Sequence, residues 1–88
     1  MERYLPKEAY LKEMQHLNYT IVIEPDENAY HAFVPMLKGC HSCGDTPEEA
    51  RENIREAIEL YVETLRDLGE EIPIEPEPIL VERLEVEA

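Results

Sequence analysis

The chain contains no tryptophan, one phenylalanine, two cysteines and only eight basic residues among its 88. The shortage of lysine and arginine excludes most. Binding of DNA or RNA draws on cationic side chains that displace counterions from phosphates, and no stretch here is basic. Direct nucleic-acid binding is therefore not expected. No apolar run approaches the roughly 20 residues a helix needs to cross a bilayer, so no membrane span is expected either. The opening "MERYLPKEAY" lacks the apolar core of a signal peptide, and the expected location is cytoplasmic. Two cysteines in that compartment point to free thiols rather than a structural disulfide.

What the chain has in excess is acid. Aspartate and glutamate number 21, and the net charge is −13. The charge builds along the chain: residues 1–17 are neutral, and 70–88 hold seven acids against one arginine. A cationic partner is electrostatically favoured. The remaining composition, 43% hydrophobic with five tyrosines, is that of a folded domain. One domain spanning 1–88 is expected, too small to bury a large core. Its edge strands suit symmetric pairing, so a homo-oligomer (dimer or tetramer) is expected.

Three parts are legible in that domain. Residues 1–17 suggest an N-terminal helix, with Pro6 in its first turn and Tyr10, Met14 and Leu17 on one stripe. Residues 18–69 hold three strands and a long helix. "NYTIVIE" alternates Tyr19, Ile21 and Ile23 against Thr20, Val22 and Glu24; "PDEN" has turn chemistry; "AYHAFVP" pairs back as a hairpin. "GCHSCG" forms a short third strand. Residues 70–88 follow as a proline-rich acidic linker and a last strand, "ILVERLEVE".

The long helix has the sharpest boundaries. Thr46 is a natural N-cap, Glu49 completes a capping box, Pro47 opens the first turn and Gly69 closes the last. Ala50, Ile54, Ala57, Ile58, Tyr61, Leu65 and Leu68 fall on one apolar stripe about 100° wide. Glu48, Glu52, Glu56, Glu59 and Glu63 fall within about 80° of each other on the opposite side. Arg66 alone sits among them, with Arg55 at the edge. This row suits an ordinary solvated face first, and a docking ridge for a basic partner second. On charge geometry, Glu52, Glu56, Glu59 and Glu63 are the expected partner-binding residues.

Cys40-x-x-Cys43 supplies half of a four-ligand zinc site. In a strand, residues three apart point to opposite faces, so the two thiols would not grip one ion. A redox pair calls for the motif at a helix N-terminus, and the helix here begins only after Thr46. A Cys–His nucleophile using His41 fails by the same alternation. Cys40 is expected to be a small buried residue and Cys43 an exposed thiol. No metal, cofactor or catalytic residue is expected.

The run Val34-Pro35, Leu37, Gly39-Cys40, Ser42, Gly44-Asp45-Thr46, Glu49-Ala50, Asn53-Ile54 and Ala57-Ile58 resembles the HicB antitoxin family. So do the strands upstream and Gly69, Glu70, Ile72 and Pro73 downstream. The resemblance covers roughly Tyr19 to Pro73. It implies an α+β fold of the partial RNase H-like kind, β-β-β-α-β with a fourth strand joining the sheet; the N-terminal helix is an addition. It also implies a function: binding and blocking a HicA toxin, a small basic protein that cleaves mRNA. Many members carry a further DNA-binding domain, for which this chain has no room, so direct operator contact is not expected. Within the motif, Gly39, Cys40, Gly44, Asp45, Thr46 and Glu49 look structural: permissive backbone at strand ends, and a helix cap. One alternative is an orphan oligomeric adaptor or regulatory protein without a toxin. A more distant one is a metal-dependent nuclease using Glu24, Asp26, Asp45 and Glu49.

Overall fold

The computed structural model describes residues 17–88 and the backbone of a short strand, Arg3–Leu5. Of the expected N-terminal helix over 1–17, Arg3–Leu5 form a strand instead, held by pairing with residues 72–74, and Leu17 is in irregular chain; residues 6–16 lie outside the described residues. The described elements are β1 (Arg3–Leu5), β2 (Val22–Asp26), β3 (Ala29–Phe33), β4 (His41–Gly44), α1 (Pro47–Leu68) and β5 (Ile72–Ile74). Strands β2, β3 and β4 form an antiparallel sheet in that order, and β1 pairs antiparallel with β5. From Asn18 onward this is the expected α+β order, strand-strand-strand-helix-strand.

The hairpin is tighter than its sequence suggests. The ladder runs through Pro25 and Asp26 to the pair Asp26–Ala29, leaving only Glu27 and Asn28 in the turn. Proline is tolerated there because β2 is an edge strand. Glu27 takes a left-handed φ of 59° to close the loop. At the other end the ladder stops at Val22–Phe33, because β3 ends as the chain turns at Val34. Tyr19, Thr20 and Ile21 therefore lie beyond the sheet, and Tyr19 and Thr20 bond to residues 73 and 75.

Residues 34–40 fold back on themselves. Leu37 N–H donates to Val34 O (3.1 Å), Cys40 N–H to Leu37 O (3.0 Å) and Val34 N–H to Cys40 O (3.1 Å). Gly39, at φ 81°, supplies the left-handed backbone that the second turn needs. These turns drive Leu37 fully into the core beside Ala32, Val34, Cys40, Ala50 and Ile54. Tyr61 Oη donates to Lys38 O (2.9 Å), fastening the loop to the helix.

Helix α1 has the expected limits. Thr46 Oγ1 accepts from Glu49 N–H (3.0 Å), and the Glu49 carboxylate accepts from Asp45 N–H (2.6 Å), one residue before the cap. Gly69 adopts φ 73°; its N–H donates to Arg66 O and Glu70 N–H to Leu65 O, the paired bonds of a Schellman ending. Gly44 sits against the first turn. A Cβ there would lie 2.5 Å from Ala50 N and 2.8 Å from Glu49 C. Its glycine serves close approach of strand and helix, since its φ is not in the left-handed region. Asn53 Nδ2 ties the two together by donating to Cys43 O (2.7 Å).

The buried face of α1 is offset from the expected stripe. Val62 is 7% exposed, whereas Leu68 is 65% exposed. A second small cluster explains the shift: Val62 and Ile72 pack with Leu17, Tyr19, Ile58 and Leu65. The chain returning after the helix thus covers a flank that periodicity assigns to the margin, and Leu68 lies past the end of this cover.

The last strand is corrected. "ILVERLEVE" carries no regular element; the fourth strand of the expected order is Ile72–Ile74, inside the stretch read as linker. Pairing decides this, not propensity. Strand β1 pairs with residues 72–74, and Pro73 fits a ladder whose other side is held by the Tyr19 hydroxyl donating to Pro73 O (2.5 Å). Thr20 then binds the Glu75 carboxylate through its N–H (2.8 Å) and hydroxyl (2.5 Å). The resemblance implies a fourth strand joining the main sheet; β5 instead belongs to the β1–β5 pair.

Cys40 is buried and Cys43 exposed, as the alternation argument expects. Desolvation pushes the Cys40 thiol above its ordinary pKa. A thiol-reactive probe at mildly alkaline pH should therefore label one cysteine fast and one slowly, and Cys43→Ser should remove the fast phase. Thr46→Ala should lower the unfolding free energy by about 1 kcal/mol through the lost cap, measured by urea denaturation. Gly44→Ala should cost more, at least ~2 kcal/mol, because the added methyl meets helix backbone that no rotamer change can move.

Candidate partner-binding site

Helix α1 is held by its ends and by one face, which leaves the other face free to carry charge. Glu48, Glu52, Glu56, Glu59 and Glu63 are all exposed. The ridge carries an ion pair, Arg66 Nη2 to Glu63 Oε2 at 3.9 Å. At one turn's spacing, that contact is worth only a few tenths of a kcal/mol. Glu48, Glu52, Glu56 and Glu59 form no ion pair among the described residues. Four like charges at i, i+3 and i, i+4 spacings repel, and a cationic surface laid across them would remove the repulsion. The structure places the four expected partner-binding glutamates, Glu52, Glu56, Glu59 and Glu63, on one continuous face.

The motif residues occupy another part of the molecule. Gly39 and Cys40 close the loop before β4, and Gly44, Asp45, Thr46 and Glu49 form the junction between β4 and α1. The Thr46 and Glu49 side chains are spent on backbone N–H groups. The four acids considered for metal chemistry do not converge: Glu49 binds Asp45 N–H, and Glu24 on β2 lies 3.8 Å from Nδ1 of His31 on β3. Among the described residues no group of three His, Cys, Asp or Glu side chains is placed to hold an ion. A groove of about 650 Å³ runs between α1 and residues 17–21, floored by Tyr19, Ile21, Ile54 and Ile58 and edged by Arg51 and Arg55.

Two surfaces escape the sequence reading. The face of the sheet turned away from α1 carries Val22, Phe33 and His41 in one cross-strand row, and Glu24, His31 and Cys43 in the next. The His31 ring stacks on Phe33 with centroids 5.9 Å apart and lies 5.5 Å from His41. Alternation within "AYHAF" separates His31 and Phe33 from Tyr30 and Ala32, but only the strand register brings His41 and Cys43 alongside. The second surface is the arm of residues 76–88. It is exposed throughout, although a strand was expected there.

Comparison with known proteins follows this geometry. The family described as "HicB_like antitoxin of bacterial toxin-antitoxin system" matches residues 19–87. The UPF0150 protein ssr1765 of Synechocystis sp. is 49% identical over 82 residues, covering 92% of each chain. A UPF0150 protein of Helicobacter pylori is 68% identical over 41 residues, 47% of this chain and 57% of its own length. The UPF0150 protein Ta0767 of Thermoplasma acidophilum is 45% identical over 58 residues, 65% of this chain and 84% of its own. No solved structure matches. Strands β2 to β5, the helix caps and the acidic ridge all fall inside the matched residues, and the chain belongs to the HicB-like antitoxin family of bacterial toxin–antitoxin systems.

Proposed function

We propose that this chain neutralises a small basic toxin of the HicA type, an enzyme that cleaves mRNA, by occupying the cationic surface with which such a toxin holds RNA. One observation carries the reading: a family of antitoxins is matched, and the helix of this member presents a row of exposed glutamates that are mostly unpaired. An RNA-cleaving protein needs cationic groups against phosphates. A row of carboxylates spaced along a rigid helix competes for those groups. The role is inhibitory binding in the cytoplasm, and the chain itself performs no catalysis.

The exposed edge of β4 and the uncovered sheet face suit pairing with a second copy, so the inhibitor acts as a homo-oligomer.

The test is direct binding of a catalytically inactive HicA-type toxin encoded in the same genome. Association should be fast at about 0.05 M salt and slow at least ten-fold by about 0.5 M, as the Debye length shrinks. Replacing Glu52, Glu56, Glu59 and Glu63 together by Gln should reproduce that loss at low salt and leave the unfolding midpoint nearly unchanged, since all four are exposed. No binding by the native chain at any salt would refute the reading.

A further inference from the structure

The acidic ridge is rich in charge and poor in apolar surface. Its one large exposed apolar neighbour is Leu60. Exposed charge steers partners together and sets their orientation; lasting affinity comes from apolar groups desolvated at the centre of an interface. The arm supplies what the ridge lacks. Of the seven large hydrophobic residues that stand exposed among the described residues, five lie within eight positions of it: Ile79, Leu80, Val81, Leu84 and Val86, at 41% to 81% exposure.

The arm's base is fixed and its remainder is not. Glu75 is bound by Thr20, and Ile79 N–H donates to Thr20 Oγ1 (3.4 Å). Beyond Ile79 no hydrogen bond joins the arm to the body among the described residues. As a strand, its sequence would set Leu80, Leu84 and Val86 on one face, interrupted by Glu82, with Val81, Arg83, Glu85 and Glu87 on the other. The family match runs through residue 87, so this segment belongs to the matched domain even though the fold does not use it.

We propose that residues 79–87 are the affinity anchor of the antitoxin, folding as an added strand on the toxin and burying Leu80, Leu84 and Val86 against it. The inference rests on the antitoxin reading above. Charge selects this occupant. Residues 76–88 hold Glu77, Glu82, Glu85 and Glu87 against Arg83 alone. A strand edge lined with lysine or arginine would pair with those acids while an apolar hollow takes the three side chains. A second copy is the poorer occupant, because the arm would set its acids on another body whose net charge is −13. Ridge and arm then divide the work: the first governs how fast the complex forms, the second how long it lasts.

The experiment uses the same inactive HicA-type toxin and three versions of the full chain: native, the ridge variant with four Glu→Gln changes, and Leu80→Ser/Leu84→Ser/Val86→Ser, which keeps every charge. The arm variant should dissociate about 100-fold faster, with its association rate within about three-fold of native. The ridge variant should show the reverse split. An arm variant with a native dissociation rate overturns the inference while leaving the antitoxin reading standing. A native chain that binds no toxin removes both. A self-associating native chain that the arm variant turns into monomers assigns the arm to a second copy, and also overturns it.

Discussion

The contact between Gly44 and the first turn of α1 governs the rest of the molecule. Strand and helix approach so closely that the space for one Cβ is already taken by the backbone of Glu49 and Ala50. That approach places the helix start over the sheet, which lets Ala50 and Ile54 reach Ala32, Val34 and Leu37 in a core of few side chains. It also aims the helix, so that its outer face is the glutamate row. A small domain has little apolar surface to spare. Here the helix is positioned by backbone contact, by the Thr46 cap and by the Asn53 and Tyr61 hydrogen bonds, more than by a large core.

Structure and function are therefore separated along the helix. Gly44, Asp45, Thr46 and Glu49, which help make the family motif recognisable, hold the junction between β4 and α1, where the Thr46 and Glu49 side chains bond to backbone. The exposed glutamate ridge and the exposed arm of residues 76–88 lie elsewhere. A motif of this kind identifies the fold of an antitoxin without naming the residues that meet its toxin.

Legibility follows the range of the interactions. Helix α1 was readable to its last residue because Thr46, Pro47, Glu49 and Gly69 act within one turn of themselves. The glutamate row was readable because it depends only on helical period. The alternation of Cys40 and Cys43 depends only on local geometry, and it held. The fourth strand was misplaced because "ILVERLEVE" has the better strand sequence, while β1 and Thr20 bind the shorter segment 72–75. Val62 was missed for the same reason: its cover comes from Leu17, Tyr19 and Ile72, distant in sequence. The sheet face of His31, Phe33 and His41 needed the strand register, which no single strand encodes.

The central claim is that this protein silences an RNA-cleaving toxin by covering it. The measurement that tests it most directly is RNA cleavage by the active HicA-type toxin, titrated with the purified chain at low salt. The account predicts that cleavage falls linearly and stops at a fixed molar ratio, with the RNA left intact. Cleavage that continues undiminished in the presence of excess chain would contradict it.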